Sequence, residues 1–131
     1  MDYRNNDIVR MNLLSPLVWA YAGDAYYELF IRTYLINNSN AKPHKLHLDA
    51  IKYVSAKSQA RILDKITPML TDEELDIVRR GRNTENHHVA KNSNIAEYAK
   101  STAFEALIGY LYLTHQDERL DEILKKCIEE I

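Results

Sequence analysis

The chain has 131 residues, which fits a single domain of ordinary size. It carries 17 lysines and arginines against 19 aspartates and glutamates, and this balance excludes a positively charged coat while it allows a local basic patch. The one cysteine, Cys127, has no partner for an internal disulfide, and the N-terminus does not resemble a signal peptide. The longest uncharged run, residues 11–23, is shorter than the ~20 residues of a membrane span. We therefore expect a cytoplasmic protein with no membrane partner.

Apolar residues recur at helical spacing along most of the chain, and glycine and proline occur only three times each, which predicts an all-α fold. We expect one domain spanning residues 1–131, of which residues 1–13 are an N-terminal extension. The first long helix is predicted to begin at Pro16, with Ser15 as its N-cap, and to end at about Asn37.

Cap and turn residues then delimit the later helices. A capping pair, Asn94 and Glu97, follows the polar loop 82–94 and predicts a long helix that ends at about Thr114. The second helix is predicted to begin near Pro43. The third is predicted to begin near Ser55 and to end before Pro68. The fourth is predicted to begin at the capping box formed by Thr71 and Glu74 and to end at about Gly81. The last helix is predicted from its apolar face, which consists of Leu120, Ile123, Leu124, Cys127, Ile128 and Ile131.

Two acids interrupt strongly apolar helices. Steps of three and four residues place Asp24 beside Ala20 and Tyr27 in the first helix, whose other side is also apolar. We therefore expect this helix to be enclosed all round, with Gly23 allowing close helix contact. Glu105 takes the place of an apolar residue in the long helix. Buried carboxylates require a partner, and two that face each other repel without a cation, so a divalent ion between them is one solution.

The alternative interpretation is structural. A buried acid is often only the partner of a basic side chain, and Arg32 or Lys100 could serve here. The helical periodicity alone favours this interpretation over a metal site.

The strings around the acids resemble a known family. The string AYAGDAYYE, which contains Asp24, and the string STAFEALIGYLYL, which contains Glu105, resemble the two motifs of the ribonuclease III catalytic domain. The similarity is greatest to its Mini-ribonuclease III branch, which lacks a separate double-stranded RNA-binding domain. The segments KPHKLHLDAIKYVSAKSQARIL and LTDEELDIVRRGRN stand in the order and spacing of that branch, so the resemblance covers roughly residues 14–124. It implies a homodimeric ribonuclease III-like helical bundle.

The resemblance also implies the reaction and its cofactor. Ribonuclease III proper uses four acids per site around Mg²⁺, whereas this sequence keeps Asp24 and Glu105 and has Ala20 and Thr102 at the other two positions, as in the Mini-ribonuclease III pattern. We expect Asp24 and Glu105 to be catalytic and to bind Mg²⁺, with water ligands filling the gaps and Thr102 orienting one such water. Thr102 could equally be a packing residue that bonds its own backbone.

The expected partners follow from the same resemblance. The substrate is double-stranded RNA, specifically precursor large-subunit (23S) ribosomal RNA, and a ribosomal protein or the assembling large subunit is a further expected partner. The competing hypothesis is a non-catalytic RNA-binding or ribosome-associated module with the same fold, because two family acids are missing.

Basic and polar residues near the predicted site are candidates for RNA contact. Arg82, Asn83 and Lys91 belong to a basic segment that could contact backbone phosphates, although arginines at a helix C-terminus also compensate the helix dipole. Lys57 and Gln59 recur in the family resemblance, and we expect both near the site.

Overall fold

A computed structural model describes residues 1–5, 7–84 and 94–129. Within these ranges all regular structure is helical, as the sequence predicts. The helices are α1 (Ile8–Leu13), α2 (Pro16–Asn38), α3 (Pro43–Val54), α4 (Ala56–Ile66), α5 (Asp72–Asn83), α6 (Ile95–Leu113) and α7 (Asp117–Glu129), with a 3-10 turn, Thr67–Met69, after α4.

The predicted N-caps are confirmed by their hydrogen bonds. The Ser15 hydroxyl accepts from the backbone N–H of Leu17, and the Asn94 side chain accepts from two N–H groups of the first turn of α6. Thr71 and Glu74 form the reciprocal capping box, in which each side chain accepts from the other residue's backbone N–H. These bonds satisfy N–H donors that a helix N-terminus leaves unpaired. The positions of the capping residues in the sequence therefore predict where these helices begin.

Helix α6 lies at the centre of the molecule and packs against α2, α4, α5 and α7. Every residue from Ser101 to Leu111 is buried except Glu105, which is half-buried. A helix that is apolar on nearly all sides is suited to this central place, because each side meets a neighbouring helix. Glu105 is therefore the only charged side chain in the buried part of the central helix.

Two glycines let the backbones of α2 and α6 touch. A Cβ atom on Gly23 would lie 1.8 Å from the backbone oxygen of Glu105, and one on Gly109 would lie 1.7 Å from the backbone oxygen of Trp19. Only glycine fits at either position, since real Cβ atoms do not approach other atoms so closely. The crossing brings Asp24, which follows Gly23, towards Glu105, which lies one turn before Gly109.

Gly81 has a different role from the predicted one. The sequence predicts that α5 ends there, because glycine commonly follows a helix C-terminus. Instead α5 continues to Asn83, and Gly81 is buried against α6, where an added Cβ would lie 3.0 Å from both Ala103 and Ala106. This glycine therefore serves the close packing of α5 on α6, and the predicted end of the helix is two residues too early.

The outer side of α2 is apolar and exposed. Trp19 and Tyr27 are fully buried on the inner side, whereas Val18, Tyr21 and Leu29 are 45%, 84% and 65% exposed. The prediction that α2 is enclosed all round is thus wrong for the single chain. Periodicity could not distinguish the two sides, because both are apolar.

The N-terminal residues pack onto the domain. The Trp19 indole N–H donates to the backbone oxygen of Met11 at 2.9 Å, and Met11 itself is buried. The Arg4 guanidinium donates to the backbone oxygen of Tyr112 at 2.9 Å and pairs with Asp117 at 2.6 Å. Among the described residues, no helix combines the length and the hydropathy needed to cross a membrane.

Candidate active site

Asp24 and Glu105 interact where α2 crosses α6. Burial raises the pKa of Glu105 most, followed by the hydrogen bond with Asp24 and by the negative charge of Asp24, and together they raise it to about 9. A pKa in this range favours the protonated form of Glu105 at neutral pH. The structure thus brings together the two acids that the sequence selected.

The two carboxylates differ in exposure. Glu105 is half-buried, whereas Asp24 is exposed, so the prediction of two buried acids is wrong for Asp24. Asp24 is exposed because it lies at the edge of the contact between α2 and α6, beside the outer apolar side of α2. The pair consequently has one side enclosed by protein and one side open to solvent.

Basic side chains do not neutralise this pair within the described residues. Arg32 pairs with Glu28 at 2.8 Å, and Lys100 pairs with Asp64 at 3.0 Å. The alternative interpretation, in which Arg32 or Lys100 compensates a buried acid of the pair, is therefore wrong. The nearby charge of Glu28 adds to the rise in the pKa of Glu105.

Gln59 lies behind Glu105 and is 2% exposed. Its Nε2 donates to the backbone oxygen of Val54 at 3.1 Å, and its Oε1 accepts from the Ser101 hydroxyl at 2.8 Å. A hydrogen bond from the Gln59 side chain lowers the pKa of Glu105, against the larger effects of burial and Asp24. The structure thus places Gln59 beside Glu105, and a direct contact of Gln59 with RNA stays a prediction.

Sequence reasoning missed Ser101. It lies one turn before Glu105 on α6 and is 7% exposed, with its hydroxyl on Gln59. The four-residue spacing between Ser101 and Glu105 was the available signal, because it places both on one side of the helix. Thr102, which is 6% exposed, lies three residues before Glu105, and its role in orienting a water stays a prediction.

The candidate RNA-binding residues lie at helix ends. Lys57 is exposed in the first turn of α4, and Arg82 and Asn83 are exposed in the last turn of α5. Lys57 also lines a surface groove between α4 and the start of α6, which Lys100 and Glu97 line as well. Lys91 lies outside the described residues.

The donor set fits a magnesium ion. No group of three or more histidine, cysteine or acidic side chains is arranged to hold a metal in the part of the chain that the structure describes. Mg²⁺ commonly takes only one or two protein carboxylates, however, and keeps several waters. The two interacting carboxyl groups, Asp24 and Glu105, provide this kind of incomplete ligand set.

Comparison with known proteins identifies the family. Residues 17–116 match the family described as Ribonuclease III domain. The chain belongs to the ribonuclease III family. Mini-ribonuclease 3 of Staphylococcus aureus is 46% identical over 130 residues, which covers 98% of this chain and 96% of that protein. Mini-ribonuclease 3 of Symbiobacterium thermophilum is 49% identical over 116 residues, covering 88% and 89%.

A solved structure supports the same assignment. The crystal structure of a Fusobacterium nucleatum protein superposes with a TM-score of 0.81 at 32% identity and covers 89% of this chain and 93% of that one. The predicted all-α ribonuclease III fold and the resemblance to the Mini-ribonuclease III branch are both confirmed. As a ribonuclease III family member, the protein is an endoribonuclease of the type that acts on double-stranded RNA, and divalent metal dependence is general in this family.

Proposed function

We propose that the protein hydrolyses phosphodiester bonds in double-stranded RNA at the Asp24–Glu105 pair with Mg²⁺ bound, and that its substrate is precursor large-subunit (23S) ribosomal RNA. The observation that supports the site is the meeting of the two acids at the crossing of α2 and α6, where burial and the neighbouring Asp24 raise the pKa of Glu105. Asp24 and Glu105 would hold the cation between them at the open side of the pair, where its positive charge would relieve the repulsion between the two carboxylates.

The residues of the chain have separate tasks in this mechanism. Asp24 would hold the cation with its carboxylate from the exposed side, and Glu105, with its proton released to solvent at the open side of the pair, would hold it from the enclosed side. When bound, Mg²⁺ supplies the positive charge that polarises a phosphate and promotes attack by water. Lys57, Arg82, Asn83 and, outside the described residues, Lys91 are proposed to bind the RNA backbone.

A cleavage assay tests the proposed activity. A perfectly paired RNA should be cut by the wild type with Mg²⁺ but not with EDTA, and Asp24→Asn and Glu105→Gln should abolish cutting while Glu118→Gln, which changes an exposed acid of α7, should not. Tight binding of the paired RNA without cleavage under any metal condition would favour the non-catalytic module instead.

The ribosomal substrate needs its own test. A stem built from the paired ends of precursor large-subunit ribosomal RNA should be cut faster, and at fewer positions, than an arbitrary duplex of equal length. Equal rates and scattered cuts on both RNAs would reject this substrate while leaving the nuclease activity in place. Location in the cytoplasm and association with a ribosomal protein or the assembling large subunit stay predictions.

We also propose that the active form is a homodimer. The apolar outer side of α2, with Val18, Tyr21 and Leu29 exposed, supports an interface beside Asp24. A two-fold dimer would present two sites to a duplex, one for each strand. The wild type should sediment at about twice the chain mass of 15.3 kDa, and Leu29→Glu should sediment at the mass of one chain. Ile95→Glu, a matched change at a 75% exposed position of α6, should remain dimeric.

A further inference from the structure

Gln59 occupies a place that direct RNA contact does not explain. The side chain is 2% exposed and lies between the end of α3 and the middle of α6, so its amide does not face solvent. A buried amide has two N–H donors and a carbonyl oxygen, and each needs a partner.

The hydrogen bonds fix the orientation of this amide. The backbone oxygen of Val54 can only accept, so the amide nitrogen of Gln59 must face it, at 3.1 Å. The amide oxygen therefore faces Ser101, whose hydroxyl donates to it at 2.8 Å. Glu105 follows Ser101 by one helical turn on the same side of α6, so the amide lies next to its carboxyl group. One N–H of Gln59 remains after the bond to Val54. The Gln59 side chain also acts to lower the pKa of Glu105, which makes that carboxyl group the nearby acceptor for the remaining N–H.

We propose that Gln59 is a positioning residue, whose second amide N–H donates to Glu105 and holds that carboxyl group towards Asp24 before any cation arrives. Ser101 acts one step further away, because its hydroxyl holds the amide in the required orientation. The inference deepens the proposed function, since it rests on Asp24 and Glu105 being the cation ligands. It changes the expected role of Gln59 from binding RNA to preparing the site.

A purely structural role is the competing explanation, because the same amide ties α3 to α6. Gln59→Met distinguishes the two explanations, since methionine has a similar size but no amide. Gln116→Met is the matched control. The Gln116 amide also donates a hydrogen bond, to the Thr114 hydroxyl at 2.8 Å. Gln116 follows the C-terminal end of α6, however, whereas Ser101 lies in the N-terminal half of that helix. Both variants lose a side-chain amide, and only Gln59→Met should affect Glu105.

The first measurement needs no metal. Carbon-13 relaxation of the Glu105 side-chain methylene groups in EDTA reports whether the side chain occupies one rotamer. We expect an ordered Glu105 in the wild type and in Gln116→Met, and rotamer averaging in Gln59→Met. An equally ordered Glu105 in Gln59→Met would overturn the proposal. If Gln59→Met does not fold, Ser101→Ala replaces it: increased averaging supports the proposal, and unchanged order overturns it.

The second measurement links the position to cation binding. The Mg²⁺ concentration that gives half of the maximal rise in Tm should increase by about 10- to 100-fold in Gln59→Met, the range typical of residues that orient metal ligands, and should not change in Gln116→Met. Equal Mg²⁺ dependence in both variants would contradict the link. If Gln59→Met disorders Glu105 while Mg²⁺ raises the Tm of neither protein, the positioning role holds and the proposed metal site fails.

Discussion

Two glutamates are enclosed by helices in opposite surroundings. Glu74, which is 5% exposed, accepts from the Nε and Nη2 of Arg119 at 2.8 Å each. Burial alone would raise its pKa, but the hydrogen bonds from Arg119 and from the Thr71 backbone outweigh burial, and its pKa is lowered. Glu105 faces another carboxylate instead, and its pKa is raised to about 9.

We interpret the difference as that between a structural acid, Glu74, and the proposed catalytic acid, Glu105. Arg119 also donates to the backbone oxygen of Met69 at 2.7 Å, so the pair with Glu74 joins α7 to the start of α5 and satisfies the acid within the chain. Asp24 and Glu105 have no such cation among the described residues, and the open side of the pair leaves access for one from solution. An enclosed acid is thus informative about function only when its partner is known.

The largest expected effect is on activity. Asp24→Asn and Glu105→Gln should each lower the rate of RNA cleavage by more than about 100-fold, since even residues that merely orient metal ligands account for 10- to 100-fold. Glu74→Gln should keep the wild-type rate per folded molecule. The rates are compared in single-turnover assays, corrected for the folded fraction by circular dichroism. A Glu74→Gln rate as low as that of Glu105→Gln would break the distinction between the two acids.

Stability should depend more on Glu74 than on Asp24, the reverse of the order expected for activity. Glu74→Gln should lower the free energy of unfolding by about 3 kcal/mol, the lower end for breaking a buried pair, because the Arg119 side chain is 24% exposed. Asp24→Asn in EDTA should not lower the free energy of unfolding. It should raise this free energy slightly, because the change removes a negative charge beside Glu105. Urea unfolding at pH 7 measures both. A clear loss of stability in Asp24→Asn would assign Asp24 a structural role.

The two acids should also give opposite dependences of stability on pH. The raised pKa of Glu105 means that the folded protein keeps a proton that the unfolded chain releases above about pH 4.5. The contribution of Glu105 to the free energy of unfolding therefore falls as the pH rises towards 9. The lowered pKa of Glu74 gives a contribution that is present above about pH 4.5 and is lost as the pH falls through its folded pKa. Melting curves in EDTA at pH 3–9 test both dependences. Glu105→Gln should flatten the dependence of Tm on pH in the upper part of this range, and Glu74→Gln should flatten it in the lower part.

The smallest expected effects concern RNA contacts outside the acid pair. Replacing Lys57, Arg82 or Lys91 by alanine should reduce the slope of log K against log salt by about 0.7 to 0.9, because each lost phosphate contact leaves one counterion unreleased. The loss of affinity should be similar across RNA sequences. Lys125→Ala, an exposed change on α7, should leave the slope unchanged. An unchanged slope for a candidate would place that residue on a solvated surface.

Local chemistry made much of the fold predictable. The caps Ser15, Thr71 and Asn94 gave helix starts that the structure confirms, since capping depends on neighbouring residues only. The prediction at Gly81 failed because its role depends on a distant contact. A glycine that ends a helix and a glycine that lets another helix pack closely look the same in the sequence, and only the contact with α6 shows that Gly81 is of the second kind. The exposure of Asp24 was missed because α2 is apolar on both sides.

The candidate site was predictable in part. Family resemblance selected Asp24 and Glu105, and the structure places them in contact through the glycine crossing of α2 and α6. The contact between Gln59 and Ser101 was not predictable, because these residues are 42 positions apart and meet only in the folded chain. The pairing of Glu74 with Arg119, 45 positions apart, was hidden for the same reason.

Asp24 and Glu105 are proposed to hold a cation in place of the Glu105 proton. Calorimetric titration of the RNA-free protein with Mg²⁺ at pH 7, repeated in buffers of different ionisation enthalpy, counts the protons released on binding. The wild type and Glu74→Gln should release about one proton per Mg²⁺ bound, because the pKa of Glu105 is about 9 before the metal enters, and Glu105→Gln should release none. Magnesium binding without proton release in the wild type, or equal release in Glu105→Gln, would contradict the claim.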